Sequence, residues 1–156
     1  MSLTLYAEHL QAIYAHAERT YPEECCGLLL GTITADEKVV HDVYAVPNAW
    51  DTDAANELND SAALTKTRRY WIAPEAMLAG MREARQHNLD IIGIYHSHPD
   101  HPAVPSECDR TLAWSQYSYL IVSVEHGIAN DYRSWTLNEQ HQFEPEALQL
   151  AEVARM

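Results

Sequence analysis

The sequence predicts an α/β fold in one domain spanning residues 1–156, and three observations point to it. Residues 7–20 and 74–87 repeat apolar side chains at helical spacing. The runs 26–31 and 91–98 are short and apolar on both alternating faces, as buried strands are. The order across residues 70–98 is a β-to-α-to-β passage. With 156 residues and 47% hydrophobic content, the chain has enough apolar side chains for one core and needs no linker.

The elements follow in chain order. Leu10, Ile13, Tyr14 and Ala17 stand at i, i+3, i+4 and i+7, giving an amphipathic helix closed by Pro22. Cys26-Gly-Leu-Leu-Leu-Gly31 is a buried strand bounded by glycine, and residues 38–46, with Val39, Val40, Val43 and Val46, are its neighbour, ended by Pro47 and Asn48. From Asn48 to Lys66 the chain is polar and aperiodic, which predicts a long surface loop. Tyr70, Trp71 and Ile72 read as a short strand. Pro74 then starts a helix through His87, with Met77, Leu78, Met81 and Ala84 inward and Asn88 near its end.

Ile91–His98 reads as a central strand on which Ile92, Ile94, His96 and His98 share a face. Pro99, Pro102 and Pro105 stiffen the following loop, and Ser106 caps a helix containing Leu112, Ala113 and Trp114. Residues 119–124 and 132–137 are strands separated by a turn, and the segment after Pro145 reads as a terminal helix.

Composition narrows the function. A formal net charge of −13, from 23 acidic and 10 basic residues, argues against nucleic-acid or anionic-membrane partners, which need clustered Lys and Arg. The opening MSLTLYAEHL lacks a secretory pattern, and no run approaches the roughly 20 apolar residues of a membrane span, so a cytoplasmic protein is expected. Cys25, Cys26 and Cys108 form no disulfide framework and are expected to be reduced; Cys26 and Cys108 read as small apolar fillers before they read as thiolate ligands.

The chemistry concentrates at His96 and His98. Two histidines at i and i+2 on one strand face point the same way, roughly 6 to 7 Å apart at the backbone, a spacing that suits two positions of a tetrahedral zinc ion. Asp109, on the first turn of the next helix, is the candidate third ligand, which leaves a fourth position for water as in catalytic sites. Ser106-x-x-Asp109 also reads as a capping box, and the cap and the metal compete for the same carboxylate. Asp100 and His101 are spare candidates that the turn at Pro99 takes out of strand phase.

Glu24, then His96-Ser-His98, seven residues, then Ser106-Glu-Cys-Asp109 resembles the JAMM (MPN-plus) metalloprotease signature, a distant Glu followed by H-[S/T]-H-x7-S-x-x-D. The run Glu24-Cys-Cys26-Gly-Leu-Leu-Leu-Gly31 and the pair His98-Pro99 extend the match, which is nearest to the small stand-alone bacterial members. The resemblance implies an α/β fold with a curved mixed sheet flanked by helices, like that of cytidine deaminases. It implies that His96, His98 and Asp109 hold one zinc ion. Glu24 then moves the proton of the zinc-bound water to the leaving amine, and Ser106 donates to the oxyanion. Glu23 is the competing glutamate, but Glu24 shares strand phase with Cys26, Leu28 and Leu30.

The implied substrate is a ubiquitin-like protein, in bacteria a sulfur carrier, cut after its C-terminal Gly-Gly as a peptide or an isopeptide. A narrow groove over the zinc and a tail bound along a strand edge are expected, with the polar loop 48–66 as a candidate to hold the substrate's globular part. Two rival readings stand beside this one: a catalytically silent scaffold of the same fold, and a zinc hydrolase of small amides. The scaffold members lack ligands, whereas this chain keeps them all. The H-E-x-x-H helix and the deaminase H-x-E with P-C-x-x-C pattern are both absent.

Overall fold

The computed structural model describes residues 2–51 and 65–152. In chain order it contains β1 (Ser2–Tyr6), α1 (Ala7–Thr20), β2 (Cys26–Ile33), β3 (Glu37–Val46), α2 (Pro74–Gln86), β4 (Asp90–Pro99), α3 (Glu107–Thr111), β5 (Ser118–Glu125), β6 (Ile128–Leu137) and β7 (Phe143–Ala151). The strands form one mixed sheet in the order β1-β3-β2-β4-β5-β6-β7, curved until β7 pairs with β1 and closes a barrel. The expected α/β fold with a curved mixed sheet and flanking helices is the fold observed.

Alternation along β2 explains the two cores. Leu29 packs with Leu10, Ile13 and Ala17 of α1, while Leu28 and Leu30 point the other way and pack with Ala84 of α2. The helices therefore cover opposite faces of the same sheet. Central β4 lies between antiparallel β2 and parallel β5, and burial on both faces fits its near-continuous apolar sequence.

Several expectations are corrected. Tyr70–Ile72 is not a strand; the segment is held by Asn48, whose Oδ1 accepts the Trp71 amide, and by the Ala49 amide on the Trp71 carbonyl. On α2, Met77, Gly80 and Ala84 face inward, while Leu78 and Met81 are exposed; Gly80 leaves the room that Leu28 fills. A bulge between Leu29 and Leu30 shifts the register on β4, so Ile92 joins the α1 core and Ile91, not Ile92, shares the face of Ile94.

The helix after Ser106 ends at Thr111, with Leu112 as its C-cap, and so excludes Ala113 and Trp114. The segment around Pro145 is strand β7, not a helix, because β1 and β6 both offer it a pairing edge. Strand β1 itself has no counterpart in the sequence reading. The expected loop 48–66 falls mostly outside the described residues. No helix among them is long and apolar enough to cross a membrane.

Candidate metal centre

Period-two geometry sets His96 and His98 on one face at the C-terminal end of β4. Antiparallel pairing with β2 places Cys26 opposite His96, which carries Glu24, two residues earlier, toward His98. A second tie fixes that approach: the Cys25 amide donates to Ser97 Oγ at 2.8 Å, and the Ser97 amide to the Cys25 carbonyl at 3.2 Å. The proline loop is held in turn. Ser123 Oγ donates to the His101 carbonyl, and Trp135 Nε1 to that of Ala103, so α3 starts beside the strand end.

The three candidate ligands meet. His96 Nε2 lies 3.2 Å from His98 Nε2, and Asp109 Oδ2 lies 3.2 Å and 3.0 Å from these two nitrogens. A tetrahedral zinc ion with bonds of about 2.0–2.1 Å has ligand separations of about 3.3 Å, so the triangle has the right edge length. All three side chains are buried. His98 Nδ1 faces the Pro102 carbonyl at 2.8 Å and donates to it, so in the neutral ring Nε2 presents a lone pair to the centre. A lone pair and a carboxylate oxygen at 3.0 Å are two acceptors, a pairing that a cation between them satisfies. His96 Nδ1 is buried with no hydrogen-bond partner among the described residues.

Protonation fits the same picture. Burial pushes the His96 imidazole below its usual range, toward the neutral form that binds metals. Burial alone would raise Asp109, but the two histidines outweigh it and hold the carboxyl well below the usual carboxylate range. The cap and the cluster are not alternatives, as the sequence reading had them. Asp109 Oδ2, the oxygen that faces both histidines, also accepts the Ser106 amide at 2.9 Å, while Ser106 Oγ accepts the Asp109 amide at 3.1 Å.

Glu24 is 4% exposed, whereas Glu23 is exposed, so burial separates the two glutamates as strand phase does. Glu24 Oε1 is buried without a partner among the described residues; burial, and then the Asp109 charge, push its carboxyl well above the usual range. Glu24, Ser106 and His98 line one cavity of about 380 Å³. Ser106 Oγ, an acceptor in the cap, keeps its own O–H to donate. Of the spare candidates, Asp100 is engaged by Tyr21 Oη and the His126 amide, and His101 lines the cavity but stands outside the ligand cluster. Cys26 is buried with its thiol toward the Val46 and Pro47 carbonyls, Cys108 sits on α3, and neither belongs to the cluster.

Three residues of the site escaped the sequence reading. Tyr70 stacks on His96. Asn48 Nδ2 donates to the Glu24 and Arg69 carbonyls, and its Oδ1 accepts the Trp50 and Trp71 amides, which ties Glu24 to the 69–71 segment. Arg68 lines the Glu24 cavity. A signal existed only for the last: Lys66, Arg68 and Arg69 put three of ten cationic residues into four positions of an acidic chain.

Residues 6–138 match the family model described as prokaryotic homologs of the JAB domain. The chain is similar to the desampylase of Haloferax volcanii, 32% identical over 126 residues, which are 78% of this chain and 80% of that protein. It is similar to the CysO-cysteine peptidase of Mycobacterium tuberculosis, 28% identical over 136 residues, 86% of this chain and 82% of that one. Its fold matches the solution structure of a Desulfitobacterium hafniense protein with a TM-score of 0.79 and 27% identity, covering 97% of this chain and 94% of that one.

Proposed function

Because this chain belongs to the prokaryotic homologs of the JAB domain, we propose that it is a zinc metallopeptidase that cuts after the C-terminal Gly-Gly of a ubiquitin-like sulfur-carrier protein. The observation that carries the reading is the buried triangle of His96, His98 and Asp109 with Glu24 beside it. The substrate class draws its support from the similar proteins, a desampylase and a peptidase named for CysO-cysteine. The proposal assigns the activity to one domain over residues 1–156, acting in the cytoplasm, where Cys25, Cys26 and Cys108 stay reduced.

His96, His98 and Asp109 would hold the ion; two imidazoles and one carboxylate favour zinc over the harder magnesium or calcium. When bound, zinc supplies Lewis acidity, which makes water a nucleophile at neutral pH and polarises the scissile carbonyl. Glu24 takes the proton of the attacking water and passes it to the leaving nitrogen. Its raised carboxyl suits the second half of that task, since a group that holds a proton near neutrality can also return it. Ser106 donates its hydroxyl hydrogen to the oxyanion that develops on the glycine carbonyl. In balance, the oxygen of water bonds to the glycine carbon, the C–N bond breaks, and the nitrogen leaves with the proton.

The test begins with metal content of the protein purified without added metal, expected at about one zinc per chain. Gly-Gly-tailed carriers and small amides are then incubated with and without chelator and followed by intact mass. Chelator-sensitive loss of mass from a carrier supports the proposal. Cleavage of small amides alone replaces the carrier as substrate, and a chain that stays empty when zinc is supplied is the silent scaffold.

A further inference from the structure

Because the proton returns through Glu24, the leaving amine must lie on the Glu24 side of the scissile bond. That side is the cavity of about 380 Å³, which Glu24, His98 and Ser106 share with Arg68, His101 and Glu107. A second cavity, of about 200 Å³, touches Asp109 but not Glu24 and is walled mainly by Tyr70, Trp71, Ile72, Trp114 and Tyr119. Each cavity has a guanidinium in its lining, but Arg69 of the second is buried, lies over the Trp50 ring and donates to the Tyr70 carbonyl, whereas the cation at the edge of the first is exposed.

That charge is Arg68. It is exposed, its field reaches the Glu24 carboxyl after that of Arg69, and among the described residues its guanidinium enters no ion pair. Glu107, the other acidic group lining the cavity, is already paired with Arg110. The backbone holds Arg68 in place: the Glu24 amide donates to the Lys66 carbonyl at 2.7 Å, and Asn48 grips the Arg69 carbonyl at 3.0 Å. An acidic protein thus keeps a cation where the leaving group sits.

We propose that Arg68 is a specificity-determining residue that takes the α-carboxylate of the leaving amino acid. The substrate class is then a Gly-Gly tail extended by a residue with a free C-terminal carboxylate, not an isopeptide to a lysine side chain. The guanidinium fork matches a carboxylate with two parallel hydrogen bonds. A lysine ε-amine brings no carboxylate with it, because the carboxyl of that lysine is itself an amide. The cavity is at the small end of small-molecule sites, a size for an amino acid and not for a folded partner.

The inference rests on the hydrolase reading, and its test separates the two. One carrier is prepared ending in Gly-Gly-Ala as the free acid, as the C-terminal amide, and as Gly-Gly joined to a lysine ε-amine. The zinc-loaded wild type is expected to favour the acid over both others by at least about tenfold in kcat/KM, the weight of a charge-assisted hydrogen bond. Arg68→Gln should abolish that preference, bringing the acid-to-amide ratio of kcat/KM to about one whatever change the two forms share, and Arg68→Lys should restore part of it.

A calorimetric titration adds a readout without turnover. Glu24→Gln should bind the acid form about tenfold more tightly than the amide form, and the added Arg68→Gln should erase the difference. Equal wild-type rates on acid and amide overturn the proposal and leave the hydrolase reading standing. So does an equal loss on both in Arg68→Gln, which would make Arg68 a tuner of Glu24. No cleavage of any form sinks the carrier as substrate, and the titration alone then decides whether Arg68 binds a carboxylate.

Discussion

Asp109 and Ser106 hold each other by a reciprocal pair of hydrogen bonds, and the Asp109 oxygen used in that pair is the one that faces both histidines. Removing either residue therefore separates two contributions. Ser106→Ala should cost about 1 kcal/mol of stability, the usual loss of a helix cap, and keep its zinc. Its kcat should fall about a hundredfold or more, as when an oxyanion donor is lost. Asp109→Asn keeps an oxygen for the Ser106 amide but loses the charge, so its thermal midpoint should move little while its metal content collapses. Metal analysis beside thermal unfolding checks both; an Asp109→Asn variant that keeps its zinc, or a Ser106→Ala variant that loses it, would contradict the assignment.

Glu24 is buried and Glu23 is not. Glu24→Gln should retain zinc and lose nearly all turnover, whereas Glu23→Gln should behave as wild type. Single-turnover kinetics with matched metal loading makes the comparison; a Glu24→Gln enzyme at the wild-type rate would remove this residue from the chemistry.

Asn48 satisfies four backbone groups at once, two on each side of its amide. Asn48→Asp keeps the acceptor and turns the donor into a charge facing two carbonyls. We expect about 1–3 kcal/mol of destabilisation, the cost of leaving buried groups unsatisfied. Because Asn48 positions Glu24 without touching a ligand, kcat should fall while zinc content stays constant. A variant with normal kcat would reduce Asn48 to a purely structural clamp.

Burial pushes the Cys25 thiol from 9.0 up to about 11, and Cys26 further still. The native chain thus keeps protons that the unfolded chain releases from pH 9.0 upward. The associated stability is fully present below that pH and is lost as pH rises toward 11. Denaturant midpoints should fall across that window, and less steeply in Cys25→Ala. A thiol reagent at pH 8 should label Cys108, which is partly exposed, and reach Cys25 and Cys26 only on unfolding.

The parts of this structure visible in the sequence are those whose cause is local. The helix 7–20, the strand that ends in His96 and His98, and the Ser106 cap each follow from spacing within a dozen residues. What escaped has a distant cause. Residues 143–151 are rich in Glu, Ala, Leu and Gln, good helix formers, yet they form a strand because the edges of β1 and β6 await them. Ile92 changes faces because of a bulge opposite Leu29 and Leu30. At the candidate site, the meeting of His96, His98 and Asp109 was legible because their spacing is fixed by one strand and one loop. Tyr70 and Asn48 were not, since they arrive from a segment that carries no period of its own.

Closure of the barrel joins Ser2 to Ala147, while Glu24, His96, His98, Ser106 and Asp109 all lie before residue 110. A chain leaving the ribosome therefore exposes every residue of its centre before the strand that seals the barrel has been made. Contacts of such sequence separation form late, because a long loop must be ordered first. The seam between β1 and β7 should then be the first part to open and the last to form. Native-state amide exchange would show the two strands exchanging together, ahead of the β2 and β4 pair that frames the centre.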